Sequence, residues 1–140
     1  MPDDPPIDAA FLTKLGLRPG ETLGLVRAPD GWARRLARLA NTASAASASR
    51  ARRANVILAW LEPSDNLPMV FAALERKIPP EGAVWAVIPK KSALKNGEAA
   101  VAWAGMQAAG LASGRLVDNK ELRFDGRHYG TRFVVRKEQR

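Results

Sequence analysis

Two uninterrupted apolar runs constrain the fold of this chain more than any other feature. The segments Val56–Leu61 and Ala83–Ile88 contain no polar or charged side chain. Runs of this length with branched side chains are typical of strands that are covered on both faces. Both are far too short to span a bilayer. The sequence therefore predicts an α/β protein whose sheet carries helices on each side.

The segments around these strands have helical spacing. Asp8–Leu15 predicts a first helix, and Thr22–Val26 predicts a first strand after the turn at Pro19-Gly20. A second helix is expected to begin at Asp30, whose carboxylate would accept the free amides of the first turn. Its sheet-facing residues would be Trp32, Leu36, Leu39 and Ala40. Two further helices are predicted, at Asn66–Lys77 and at Asn96–Ala109, the latter ending at Gly110.

Two strands are predicted to close the chain, Leu116–Asn119 and Tyr129–Arg136, with a turn at Asp125-Gly126. The alanine- and serine-rich residues 42–49 favour neither an edge strand nor a loop. The resulting fold is a three-layer, Rossmann-like α/β sheet, mostly parallel, with an antiparallel strand at its C-terminal end. We expect residues 1–6 to be a disordered tail and residues 7–140 to form one domain.

This order of elements is similar to a trimmed class I methyltransferase fold. The chain more closely resembles the bacterial domain-of-unknown-function family 3052 over nearly all of residues 10–137. The matching segments are 15–20, 28–31, 80–92, 109–111 and 132–136, and the most specific is Trp85-Ala86-Val87-Ile88-Pro89-Lys90-Lys91-Ser92. The resemblance implies the fold and no catalytic residue. Residues 42–53 depart from that family's usual strand and acidic turn.

A cofactor site is disfavoured by two features. The loop after the first strand, Val26–Trp32, holds only Gly31, whereas the turns that cradle dinucleotides or methyl-donor nucleosides need two or three glycines. No acidic residue lies between Asp30 and Glu62 to hold a ribose. We therefore expect no cofactor. S-adenosylmethionine (SAM) is the less favoured alternative, and any cofactor would bind near Asp30, Gly31 and Glu62.

The charge of the chain points to anionic partners. The formal net charge is +8, and residues 27–60 contain seven arginines against one acidic residue. Such an excess favours nucleic acid or phosphate-containing small molecules, although it also suits a solubilising surface. The candidate nucleic-acid-binding residues are Arg34, Arg35, Arg38, Arg50, Arg52 and Arg53. A separate candidate anion site is Lys90, Lys91 and Ser92, because two ammonium groups and a hydroxyl beside a helix start suit a phosphate.

Catalytic and metal sites receive little support. The chain has no cysteine and one histidine, His128, so no metal site and no catalytic triad is predicted. Glu62 and Asp65 suit an acid–base pair, but a strand end and a helix cap are the preferred interpretation. The four tryptophans are expected in the core. The acidic, proline-rich start lacks the features of a signal peptide, which predicts a cytoplasmic protein without membrane contact.

These observations favour a non-catalytic α/β module that binds an anionic partner, either nucleic acid or a phosphate-containing ligand. One alternative is a divergent SAM-dependent methyltransferase with a non-standard cofactor loop. A second alternative is an interaction module that forms a homodimer through an exposed sheet edge or a tryptophan face.

Overall fold

The computed structural model describes residues 7–140, and the predicted tail, residues 1–6, lies outside this range. The described residues form four α-helices and six strands. The helices are α1 (Ala9–Leu15), α2 (Asp30–Ala37), α3 (Leu67–Glu75) and α4 (Trp103–Leu111). The strands are β1 (Thr22–Val26), β2 (Asn41–Ala45), β3 (Val56–Trp60), β4 (Ala83–Pro89), β5 (Leu116–Arg123) and β6 (His128–Val135).

The strands form one sheet in the order β2-β1-β3-β4-β6-β5. The first four are parallel, with Leu23 beside Val56 and Val56 beside Ala83. β6 runs antiparallel to both β4 and β5. The predicted fold class is therefore confirmed, and the ambiguous stretch after α2 contains the edge strand β2.

The apolar runs lie at the centre of the sheet and separate two cores. One face packs against α3 and α4 around residues such as Phe71, Met106 and Phe133. The other face packs against α1 and α2. An aromatic cluster fills the second core and consists of Phe11, Trp32, Trp60, Trp85 and Phe124. Three of the four tryptophans are thus buried as predicted, and Trp103 is partly buried against the first core.

Two helix boundaries differ from the sequence prediction. α4 begins at Trp103 instead of Asn96, because Gly97 has a φ of 78° and Glu98 closes a turn onto the Lys95 amide. α4 also continues through Gly110, where the ring of Phe133 lies so close that an added Cβ would approach it to 2.4 Å. A glycine here therefore serves close packing and does not end the helix.

The start and end of α2 also differ from the prediction. Pro29 occupies the N-cap position, Asp30 is the first helical residue, and no side chain caps the first turn. The helix ends at Ala37, which leaves Leu39 41% exposed. Among residues 7–140, no helix is long and apolar enough to cross a membrane.

Candidate functional site at the carboxyl ends of β1 and β3

The strand order reverses between β1 and β3, because β2 lies on one side of β1 and β3 on the other. In open α/β sheets, ligands bind outside the carboxyl ends of the strands at such a point. Arg27 follows β1 directly, and Glu62 and Asp65 lie in the loop after β3. The structure brings these three residues into contact.

Arg27 joins the two loops through its guanidinium. Nη1 lies 3.0 Å from Glu62 Oε2, and Nη2 donates to Asp65 Oδ2 at 2.6 Å. The Asp65 oxygen also accepts the Glu62 backbone N–H at 2.8 Å. The hydrogen bond with Asp65 is the largest cause that raises the pKa of Arg27, and burial opposes it. We call these three residues the Arg27 clasp.

The clasp corrects the role predicted for Asp65. The sequence suggests that Asp65 caps α3, but the cap is Asn66, whose Oδ1 accepts the Met69 N–H at 3.3 Å. Asp65 instead holds Arg27 and tightens the loop after β3.

The backbone of Arg27 accounts for the missing glycine. Arg27 has a φ of 56°, in the left-handed region that glycine normally occupies. Its N–H donates to Ala45 O at 3.0 Å, which ties the turn to the end of β2. Such a conformation costs a non-glycine residue about 1–2 kcal/mol. The chain thus forms a left-handed turn after β1 with an arginine instead of a glycine.

A cavity of about 410 Å³ lies beside the clasp, between the end of β2 and the start of α3. Its wall is partly apolar, and Met69 in the wall is 67% exposed. Arg27 Nε is buried here and has no hydrogen-bond partner. The lining residues are Arg27, Ala46, Ser47, Ala48, Ser49, Asp65, Asn66, Met69, Val70, Ala73 and Arg76. An apolar wall with a few polar groups is typical of a small-molecule site.

A second polar cluster lies at the turn between β5 and β6. Asp125 Oδ2 accepts Trp32 Nε1–H at 3.1 Å, and Oδ1 accepts the backbone N–H groups of Arg127 at 2.9 Å and His128 at 2.7 Å. Burial alone would raise the pKa of Asp125, but these hydrogen bonds hold it below its usual value. His128 Nδ1 lies 3.1 Å from Asp125 Oδ1. The histidine therefore belongs to the packing of this turn.

The predicted anion site lies at the end of β4. Lys90 N–H donates to Arg127 O at 2.7 Å, and Lys91–Ala93 form a 3₁₀ turn with Lys91 and Ser92 exposed. None of these residues lines the cavity beside the clasp. Anion binding by Lys90, Lys91 and Ser92 stays a prediction.

The predicted basic region is divided between the two faces of the sheet. Arg34, Arg35 and Arg38 belong to or directly follow α2, which covers the aromatic core. Arg50, Arg52 and Arg53 lie in the segment whose Ala48, Ala51 and Ala54 are buried in the opposite core. The six arginines therefore do not form one continuous surface, although the sequence places them in one dense segment.

The predicted cofactor neighbours are divided in a similar way. Glu62 belongs to the clasp, whereas Gly31 lines a separate cavity of about 190 Å³ with Trp32, Arg35 and Asp125. Asp30 is exposed at the start of α2. Sequence analysis missed Ser47, Ser49, Met69 and Arg76, because their shared cavity depends on where β2 ends. Within residues 7–140, no three histidine, aspartate or glutamate side chains form a group that could hold a metal ion.

Several solved structures share this fold. A SAM-dependent methyltransferase from Aquifex aeolicus superposes with a TM-score of 0.59 and 13% identity, over 90% of this chain and 88% of that one. The N-methyltransferase NodS from Bradyrhizobium japonicum, solved in complex with S-adenosyl-L-homocysteine (SAH), gives a TM-score of 0.56 and 13% identity, over 91% and 85%. A ribosomal protein L11 methylase from Lactobacillus delbrueckii gives 0.58 and 13%, over 89% and 74%. Neither a family model nor a curated protein matches the sequence.

These neighbours correct two interpretations made from the sequence. The non-catalytic anion-binding module is wrong as the main interpretation, because the solved structures that share the fold include a SAM-dependent methyltransferase and an N-methyltransferase in complex with SAH. The expectation of no cofactor is wrong for the same reason. The expectation of no cofactor relied on the glycine-poor loop and on the missing acidic residue between Asp30 and Glu62. The chain has the Rossmann-like fold of class I SAM methyltransferases.

Proposed function

We propose that this protein is a divergent SAM-dependent methyltransferase that binds its cofactor in the cavity beside the Arg27 clasp. The observation that carries the proposal is the position of the clasp. A guanidinium with a buried, unpartnered Nε and two carboxylates meet at the point where the strand order reverses, next to a cavity of about 410 Å³. The NodS structure with bound SAH gives independent support for a ligand of this class.

The charged groups of the clasp are complementary to the charges of SAM. The amino-acid part of SAM carries a carboxylate and an ammonium, which suit a guanidinium and a carboxylate respectively. Glu62 is 57% exposed, whereas Asp65 is 14% exposed and held by the Glu62 N–H. A ligand carboxylate would therefore replace Glu62 on Arg27, and Asp65 would stay in place.

The rest of the cavity suits the nucleoside part. Ser47 and Ser49 offer hydroxyl groups after β2, the position where a ribose-binding carboxylate is missing. Met69 and Val70 offer an apolar wall for a base. Bound SAM would supply an electrophilic methyl group on a sulfonium. This chain's residues would bind and orient the cofactor, and no side chain is assigned as a base for the acceptor.

Calorimetry with SAM and with SAH tests the proposal. We expect saturable binding by the wild-type protein. Ala46 is exposed and lines the cavity, so Ala46→Trp should fill it and weaken binding at least about tenfold, or about 1.4 kcal/mol. Ala104→Trp is the matched control, because Ala104 is exposed on α4 and does not line this cavity.

Two results would contradict the proposal. One is the absence of any binding of SAM or SAH by the folded wild-type protein at millimolar ligand. The other is equal affinity in wild type and Ala46→Trp. Membership of family 3052 and a cytoplasmic location remain proposals that this experiment does not address.

A further inference from the structure

The cavity beside the Arg27 clasp, which we call the cofactor cavity, adjoins the first of two more cavities along the surface. A cavity of about 380 Å³ shares Ser49, Ala73 and Arg76 with it. A third cavity of about 250 Å³ shares Arg53 and Lys77 with the second. We call the second and third cavities together the basic groove.

The basic groove extends from the last turn of α3 toward the amino-terminal ends of β1 and β3. α3 begins near the clasp at the carboxyl end of β3, and Arg76 and Lys77 follow its last turn. Thr22 and Asn55, at the starts of β1 and β3, line the far end of the groove.

The groove is lined by cations that no carboxylate neutralises. Its lining includes Arg53, Arg76 and Lys77 and no acidic side chain. Arg53, Arg76 and Lys77 take no part in the ion pairs that Arg27, Arg127 and His128 form among the described residues. Arg76 Nε donates to Ala72 O at 3.1 Å, which fixes the start of its guanidinium within the groove.

We propose that the basic groove binds the phosphate backbone of single-stranded nucleic acid and directs one nucleotide toward the cofactor cavity. This inference rests on the proposed function, and it names the substrate class of the same site. Arginine guanidinium groups match phosphate oxygens in geometry and charge. The groove is concave, which suits a narrow flexible strand and excludes the flat surface of a membrane.

The same lining predicts how the strand is recognised. No aromatic side chain lines the groove, so stacking of bases on the protein does not contribute there. Binding should therefore depend on phosphates and be independent of base sequence. Three phosphate contacts predict that log K falls with log salt concentration with a slope of about −2.

Fluorescence anisotropy with labelled 15-mers of oligouridine and oligothymidine tests the proposal. The test variant is Arg53→Glu/Lys77→Glu, since neither residue lines the cofactor cavity. Loss of two phosphate contacts should make the slope of log K against log salt concentration shallower by about 1.4. The ratio of wild-type to variant affinity should therefore be about 25-fold larger at 0.1 M salt than at 1 M salt. The matched control is Arg34→Glu/Arg38→Glu, which removes the same charge from the opposite face.

Circular dichroism first establishes that both variants fold. The proposal is supported if only the groove variant loses affinity, and it is overturned if both variants lose affinity equally or if the wild type does not bind either oligonucleotide.

SAM calorimetry on the groove variant separates this inference from the proposed function. If the groove variant retains SAM binding and also binds the oligonucleotides as tightly as the wild type, nucleic-acid binding by the groove is overturned and the proposed function is not. Oligonucleotide binding by a wild-type protein that does not bind SAM overturns the proposed function, and with it the delivery of a nucleotide to a cofactor.

Discussion

Arg27 Nη2 lies 2.6 Å from Asp65 Oδ2, and this contact joins the end of β1 to the loop after β3. The Asp65 side chain is only 14% exposed, and its Oδ2 accepts hydrogen bonds from Arg27 and from the Glu62 N–H. The residue that makes this contact also has a left-handed backbone conformation. The turn after β1 is therefore joined to the loop after β3 by a tertiary ion pair.

Loss of this pair should destabilise the protein. We expect Asp65→Asn and Arg27→Met each to lower the free energy of unfolding by about 1–3 kcal/mol, since each leaves a partly buried charge without its partner. Glu62→Gln should cost less than about 1 kcal/mol, because Glu62 is 57% exposed. Urea denaturation measures all three values. In a double-mutant cycle, the combined Arg27→Met/Asp65→Asn variant should lose less than the sum, and simple additivity would argue against coupling.

Asp125 should contribute to acid stability. Its hydrogen bonds with Trp32, Arg127 and His128 keep its folded pKa below its unfolded value of about 3.9. A lowered folded pKa means that the unfolded chain binds the proton more readily. The contribution is thus complete above about pH 4 and is lost as pH falls through the lowered value.

Urea midpoints between pH 7 and pH 2 test this sign. The free energy of unfolding of the wild type should decline on the acid side more steeply than that of Asp125→Asn, which keeps an amide oxygen as an acceptor but does not titrate. Identical pH profiles for the two proteins would contradict the role assigned to Asp125.

Thr131 should be sensitive to loss of its hydroxyl. It is 1% exposed, and its Oγ1 accepts Trp103 Nε1–H at 3.0 Å. Thr131→Val keeps the shape but leaves the indole donor unsatisfied, which should cost about 1–3 kcal/mol. Thr131→Ser restores the acceptor and should recover part of the loss. Thermal unfolding compares the three proteins, and equal stability of the valine variant would show that the hydrogen bond contributes nothing.

Two glycines in α4 should respond in opposite directions to alanine. At Gly110 an added Cβ would lie 2.4 Å from Phe133, so Gly110→Ala should destabilise the protein by about 1–3 kcal/mol. At Gly105 an added Cβ would have no other heavy atom within 4 Å. Gly105→Ala should therefore stabilise the helix by about 0.5–1 kcal/mol. Denaturant titration measures both, and a shift in the same direction for both variants would contradict this packing.

The sequence by itself determined most of the sheet. The runs at Val56–Leu61 and Ala83–Ile88 require burial on both faces. This local pattern predicts parallel strands that are covered by helices on each side. The closing antiparallel pair followed from turn residues, which also act locally. The predicted start of α4 was wrong, because Gly97 and Glu98 form a turn within a segment of helical composition.

Only the tertiary structure decided the site. Arg27 pairs with Asp65, which is 38 positions away, and no local rule predicts a left-handed backbone conformation at this arginine. The six arginines of one dense segment lie on two faces of the sheet. The helix α2, before β2, covers one face, and residues 48–54, after β2, pack against the other. The basic groove combines Arg53 with Arg76 and Lys77 across different elements. Secondary structure follows patterns within a few residues, whereas a site depends on contacts between distant segments that only folding brings together.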